Sequence, residues 1–413
     1  MPPPVDVVAQ LLLTLAAVVA LGAVLGRAMR AVGQPAVVGE VLAGIVLGPS
    51  VLGAITPDAD PTGRVGVALH AVAQLGVVLY MFLVGVELND ARLRAHARPT
   101  AGTALGGVAV QLVLAVGLAW FLYPRFAPAG VGFAPFAAFF GVALSTTGFT
   151  VLARYLADSG LAKTPLGERA LGCAAVDDVA AWCLVAAASG LVRERWADAA
   201  AVFAGAVGFV AVVGFAVRPV VAWASRRLDR AAELPAGALP LTFVGVLLAA
   251  FATEWLGVHA LFGAFLLGAV IPHDGRLARE VVARWKPGVT LLLLPAFFAL
   301  TGLRTEIGLV DGWAGWATCG AILVVAVLGK VGGTYAAARL TGSDPRTAAA
   351  LGVMMNTRGL MGLIVLTVGL NMGVISPPLF AMMVLMALAT TLATAPALAR
   401  LLPTGPARVA GDS

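Results

Sequence analysis

Asp177 and Asp178 stand side by side in CAAVDDVAAWCLVA, residues 173 to 186, within an apolar run long enough to cross a lipid bilayer. Each charge at bilayer depth costs about 2.5–3.5 kcal/mol by insertion scales, so ionisable groups there are candidates for an ion or proton pathway by default. Two cations, Lys330 in GKVGG and Arg358 in NTRGLMG, also lie inside apolar runs and not in loops. Thr146 and Thr147, in STTGFT, place hydroxyls at comparable depth. The chemistry open to such residues is reversible protonation and the binding of a small cation.

The elements that must hold them follow from composition. Hydrophobic residues make up 60% of the chain and charged residues 12%, with a mean hydropathy of +0.97, which excludes a soluble globular protein. Windows of about 20 apolar residues fall at roughly 8–29, 34–53, 65–87, 100–122, 133–155, 167–192, 198–223, 237–254, 257–271, 287–306, 313–338, 347–370 and 378–401, which predicts an all-α polytopic membrane protein with 13 spans. The first window lacks a basic stretch before it and is followed by Arg27 and Arg30, as in a retained span and not a cleaved signal. Residues 404–413 form a short tail, which leaves no room for a soluble regulatory domain on this chain. Cys173, Cys183 and Cys319 have no CxxC spacing and read as small core residues, with no metal or cofactor implied.

Loop charges set the orientation. With the N-terminus outside and the C-terminus inside, the inner side holds 20 Lys and Arg, and the outer side holds five, Arg64, Arg125, Arg193, Arg195 and Arg304. The positive-inside bias selects that topology for a multi-pass protein of the cell membrane. The net charge of +6 is then topological, with no nucleic-acid partner implied.

The halves of the chain resemble each other. FLVGVEL at 82–88 is similar to ALTGLRT at 299–305, AGIVLG at 43–48 to GAFLLG at 263–268, and TTGF at 146–149 to TRGL at 357–360. The predicted first repeat covers about 8–192, a linker helix 198–223, and the second repeat about 237–401. An odd number of spans separates equivalent segments, so the copies run oppositely through the membrane, an architecture of transporters. STTGFT and NTRGLMG then mark matched interruptions whose freed backbone groups face an ion cavity beside Asp178. The alternative reading of Gly148 and Gly359 is close helix packing by small residues.

Three stretches carry a family resemblance: STTGFTVLARYLADSGLAKTPLGERALGCAAVDDVAAWCLVA, FFALTGLRTEI and MNTRGLMGLIVLTVGLNMGVISPPLFAMMVLMALATT. They resemble the cation:proton antiporter-2 family, the Kef-type and plant cation/proton exchanger relatives of bacterial sodium/proton antiporters. The resemblance implies a 13-helix inverted repeat, two crossed interrupted helices and a homodimer. Carried over by position, Asp178 matches the essential cation and proton carrier, and Asp177 the preceding site, where members carry Asp, Asn or Gln. Lys330 is similar to the lysine that pairs with that first carboxylate. Thr146 and Thr147 fall in the first interrupted helix, and Asn356, Thr357 and Arg358 in the second. Relatives often read FPVLAR where Phe149, Thr150 and Val151 stand here, and some carry an acid near Gly362.

Adjacent helical positions project about 100° apart, so the two carboxylates take different roles. Asp178 can face the crossing and bind a transported Na+ or K+, with hydroxyls and carbonyls completing an oxygen shell. Asp177 can face Lys330, either as a group that titrates with Asp178 or as a static ion pair. Arg358 stays protonated and cannot carry a proton; its favoured role is to compensate the negative ends of interrupted helices, the alternative being to line the cavity and reject extra cations. His70, His96, His259 and His273 are scattered; packing or solvation is the favoured account of them, and tuning of a pH response the alternative.

The sequence thus predicts a secondary active antiporter, not an enzyme, exchanging a monovalent cation for protons by an alternating-access, elevator-like cycle. The competing readings are a cation channel, for which no TVGYG-like filter is present, and a transporter of organic anions on a similar inverted repeat. An intramembrane aspartyl protease would carry its aspartates on two helices, not adjacent on one.

Overall fold

The computed structural model describes residues 7–53, 64–87, 97–161, 164–192, 196–230, 234–257 and 260–402. The tail at 404–413, and Arg92, Arg94, His96, Lys163, Arg193, Arg195, His259 and Arg408, lie outside the described residues. In chain order the helices are α1 (Val7–Ala31), α2 (Ala36–Leu47), α3 (Arg64–Glu87), α4 (Ala97–Phe126), α5 (Phe133–Ser145), α6 (Phe149–Asp158), α7 (Pro165–Val192), α8 (Trp196–Val212) and α9 (Arg218–Asp229). They continue with α10 (Ala238–Trp255), α11 (Ala260–Ala269), α12 (Arg276–Gly288), α13 (Leu294–Leu303), α14 (Gly312–Val327), α15 (Gly333–Leu340), α16 (Pro345–Met355), α17 (Leu360–Asn371) and α18 (Pro377–Leu401).

Among the described residues, nine helical stretches are long and apolar enough to span a membrane, and four shorter apolar helices accompany them. Each of the 13 expected windows contains an apolar helix, nine of them in stretches long enough to span and four in shorter helices. The fifth window divides into α5 and α6 and the twelfth into α16 and α17, at STTG and NTRG. Three windows run through a π-helical turn, at Val213–Val217, Val289–Leu293 and Leu328–Gly332. Such turns are frequent at functional positions, and the third contains Lys330. Cys173 and Cys319 are buried, but Cys183 is exposed on α7, where a thiol is apolar enough to face acyl chains.

The chain separates into two compact units, neither of which is a single repeat. The first comprises Met1–Arg27, Gly39–Asp90 and Ala186–Thr305; the second comprises Ala28–Val38, Ala91–Val185 and Glu306–Ser413. In the first unit, helices meet at glycines. A Cβ on Gly302 would overlap the α2 backbone at Val41 and Gly44, and one on Gly85 would overlap the α11 backbone at Phe265 and Gly268. Gly39 packs on the backbone of Leu25 as Gly263 packs on that of Ala249. These contacts pair Gly39 and Gly44 with Gly263 and Gly268, one helical turn away from the AGIVLG/GAFLLG match. Helices rich in Gly, Ala and Leu look alike after a four-residue slip, which keeps the same face, and only the backbone contacts fix the register.

The second unit is held by α4 packed on α5 and α15, and by α18 packed on α14, α16 and α17. Gly106 and Gly107 admit Ala337 and Thr334 of α15 against α4. Asp344 begins α16 by accepting from the Thr347 amide at 3.0 Å. Its bonds to Thr347 hold that exposed carboxyl below the usual carboxylate range.

Candidate ion-binding site

All eight residues singled out in the sequence lie in the second unit and are buried. The two interruptions pass in backbone contact. Gly148 N donates to the Thr357 carbonyl at 2.7 Å, an amide that an unbroken helix would direct four residues back along its own chain. Thr147 Oγ1 donates to the Met355 carbonyl at 2.9 Å. Arg358 N donates to Thr391 Oγ1 at 3.1 Å. Backbone groups released by each break are thus taken up by the other break or by α18, as the apolar surroundings demand.

The C-terminal end of α5 carries carbonyl dipoles that its own helix leaves without a partner, and Lys330 and Arg358 converge on it. Lys330 Nζ donates to the Ser145 carbonyl, and Arg358 Nη1 donates to the Thr146 carbonyl at 2.5 Å. This is the placement a helix macrodipole favours for positive charge. Lys330 Nζ also donates to Asp177 Oδ2 at 2.8 Å, with both side chains fully buried. Removing one partner of a buried pair costs about 3–5 kcal/mol, because the other charge is left uncompensated.

Asp178 is 3% exposed, and its Oδ1 receives no hydrogen bond among the described residues. The same holds for Asp177 Oδ1 and Asn356 Oδ1. Buried acceptors normally have partners, and three without one in the same unit mark oxygens available to something else. Thr146 Oγ1 donates within its own turn to Ala143 O at 3.2 Å, and Thr357 Oγ1 lies 3.5 Å from Thr394 Oγ1; these hydroxyls keep acceptor lone pairs. Among the described residues no group of three His, Cys, Asp or Glu side chains could hold a metal. A cation here would take its shell from carboxylate, amide, hydroxyl and main-chain oxygens, the donor set of a hard, weakly held ion.

The sequence left three participants unnamed. Ser145 supplies a carbonyl, which no side-chain pattern announces. Thr391 and Thr394 support the second interruption from α18, and their signal was present as the TTLAT run, residues 390–394, in an otherwise apolar helix. His70 is half-buried on α3, and His273 lies 3.0 Å from Asp274; both belong to the first unit, outside the site.

Thr147→Val keeps the side-chain shape but strands the Met355 carbonyl. It is expected to lower stability by about 1–3 kcal/mol, measured by thermal unfolding in detergent, whereas Thr146→Val, which loses only a bond within its own turn, should cost less. Equal effects of the two substitutions would deny Thr147 its part in joining the breaks.

Two interrupted helices crossing within a polytopic helical bundle define a transporter-type membrane protein. Residues 15–402 match the family described as sodium/hydrogen exchanger, transmembrane, and the chain belongs to that family. It is 39% identical over 393 residues to the Na(+)/H(+) antiporter NhaS4 of Synechocystis sp., covering 94% of this chain and 95% of that one. It is 36% identical to Cation/H(+) antiporter 20 of Arabidopsis thaliana over 94% of its own length, and 31% identical to K(+)/H(+) antiporter 1 of Saccharomyces cerevisiae over 88%. The chain spans about half of these two longer relatives, 48% and 43%. The sodium proton antiporter MjNhaP1 of Methanocaldococcus jannaschii has the same fold, with a TM-score of 0.69 at 13% identity, covering 96% of this chain and 98% of that one.

Proposed function

We propose that the chain is a monovalent cation:proton antiporter in which Na+ or K+ and protons compete for Asp178. The observation that carries this reading is the buried Asp178 carboxylate, whose Oδ1 has no hydrogen-bond partner among the described residues, adjacent to Asp177, which pairs with Lys330 in the unit where the two interruptions cross. The names of NhaS4 and the yeast and plant relatives support cation:proton exchange. A proton on Asp178 and a cation bound to it are mutually exclusive, and alternating exposure of that one site to the two sides couples their fluxes. Thr146, Thr147 and Asn356 supply oxygens beside the carboxylate; Arg358 and Lys330 balance the α5 terminus. The unit carrying the site moves as a body in an elevator-like cycle, within a homodimer. The 20-to-five distribution of basic residues supports an outside N-terminus and an inside C-terminus. Reconstitution into liposomes, with proton movement recorded on addition of each cation, tests the reading and names the ion.

The Asp177–Lys330 pair makes exchange electrogenic. If a cation displaces that contact and Lys330 releases its proton, more than one proton moves per monovalent cation. Exchange should therefore respond to a membrane potential imposed by an ionophore that does not carry the substrate ion, and Asp177→Asn should blunt the response while cation competition persists. Rates indifferent to either sign of potential would reduce the pair to a fixed strut.

A further inference from the structure

We propose that a groove in the first unit, separate from the ion site, binds one anionic phospholipid, with its headgroup at the arginine-rich end of α9 and an acyl chain along α10. The proposal rests on the membrane-spanning fold and is independent of the antiport reading. A cavity of about 700 Å³ is bounded by α9, the start of α10, and the segment joining α11 to α12. That volume lies within the range of small-molecule pockets, about 300–1,000 Å³. Its floor is apolar, with Leu267 and the buried Ile271 and Leu277, while Leu241 and Trp223 stand exposed at its walls.

Arg227 and Thr242 are the polar side chains that line the cavity, and the Thr242 hydroxyl is taken up by the Ala238 carbonyl at 2.8 Å. Arg227 lines the cavity, and its guanidinium lies 5.3 Å from the centre of the Trp223 ring, an arrangement that holds the cation at the mouth with its apolar stem along the wall. Arg226 and Arg230 flank it, and none of the three makes an ion pair among the described residues. The nearest described acid in sequence, Asp229, is engaged by the Arg276 amide at 2.7 Å. A tryptophan beside an arginine at the end of an apolar helix is the composition of a membrane interface, and clustered arginines there attract anionic headgroups. An apolar trough ending in guanidinium groups that have no ion pair among the described residues complements a molecule with a long apolar tail and a negative head. A zwitterionic lipid would match the trough but not the charge.

The full chain in mild detergent, assayed by native mass spectrometry and thermal unfolding, tests this with phosphatidylglycerol and phosphatidylcholine of identical acyl chains. Wild-type protein should retain one phosphatidylglycerol at least tenfold more strongly than phosphatidylcholine, and its unfolding temperature should rise only with the former. Arg226→Gln with Arg227→Gln should erase the preference. Gly245→Leu tests the apolar end. A Cβ there meets only Leu267, at 3.5 Å, so the helix accepts the side chain while the trough is filled, and lipid of both kinds should be lost. Equal retention of the two lipids by wild-type protein overturns the proposal. So does unchanged phosphatidylglycerol binding in either variant, or a change of oligomeric state in the variants with lipid retention intact, which would make the groove a contact with a second copy.

Discussion

Proteoliposomes carrying Asp178→Asn are expected to show no cation-driven proton movement with either Na+ or K+, while the protein stays folded. Asparagine keeps the shape of the side chain but can neither take up a proton nor present a negative charge to a cation. Asp178 Oδ1 receives no hydrogen bond among the described residues, and no hydrogen bond involving its side chain is seen, so the substitution removes little packing. Replacing a buried carboxylate by a neutral amide also removes the cost of burying a charge, so the unfolding temperature should be unchanged or higher. The combination of lost exchange and preserved stability separates a carrier role from a structural one. Saturable exchange at the wild-type rate would move the carrier role to another residue.

The second large effect is expected at the crossing itself. A Cβ on Gly148 would stand 2.6 Å from Gly359 N, 2.7 Å from its Cα and 2.8 Å from the Arg358 carbonyl carbon. All three are backbone atoms, and no rotamer change can relieve the overlap. Overpacking of this kind costs about 1–3 kcal/mol, and more where the neighbours cannot yield. Gly148→Ala should therefore separate the two interruptions, break the Gly148–Thr357 bond, lower the unfolding temperature and abolish exchange. Gly117→Ala on α4 is the control, since a Cβ there meets nothing within 4 Å and the helix gains about 1 kcal/mol in propensity over glycine. If Gly148→Ala matched Gly117→Ala in stability and activity, the close approach of the two breaks would have no functional weight.

Much of this architecture is local in origin. Span length depends on the hydropathy of one window at a time, so all 13 apolar segments can be read without knowing what packs on them. Interruption at residues 146–148 and 357–359 is also legible, because Thr, Gly and a guanidinium disturb an apolar helix wherever it sits. Adjacent carboxylates at membrane depth announce a site for the same reason: their desolvation cost belongs to the position, whichever partner is found.

Partnership is a different matter. Lys330 meets Asp177 across 153 residues, and it is presented from a π-helical turn that an apolar sequence such as LGKVG does not specify. The Ser145 and Thr146 carbonyls that receive Lys330 and Arg358 are main-chain groups, identical in every residue, so only the crossing of the helices selects them. The sequence likewise fixed no unique register between α2 and α11, since a one-turn slip preserves a face of small residues and leaves the composition nearly the same. By itself the sequence determined that this is a bundle of membrane helices with a charged, twice-interrupted centre. Residue types alone did not say which carboxylate is paired, although the family resemblance implied the Asp177–Lys330 contact. Tertiary structure brings those two groups together and leaves Asp178 open, because burial demands that each polar group find a partner and only packing determines which partners are within reach.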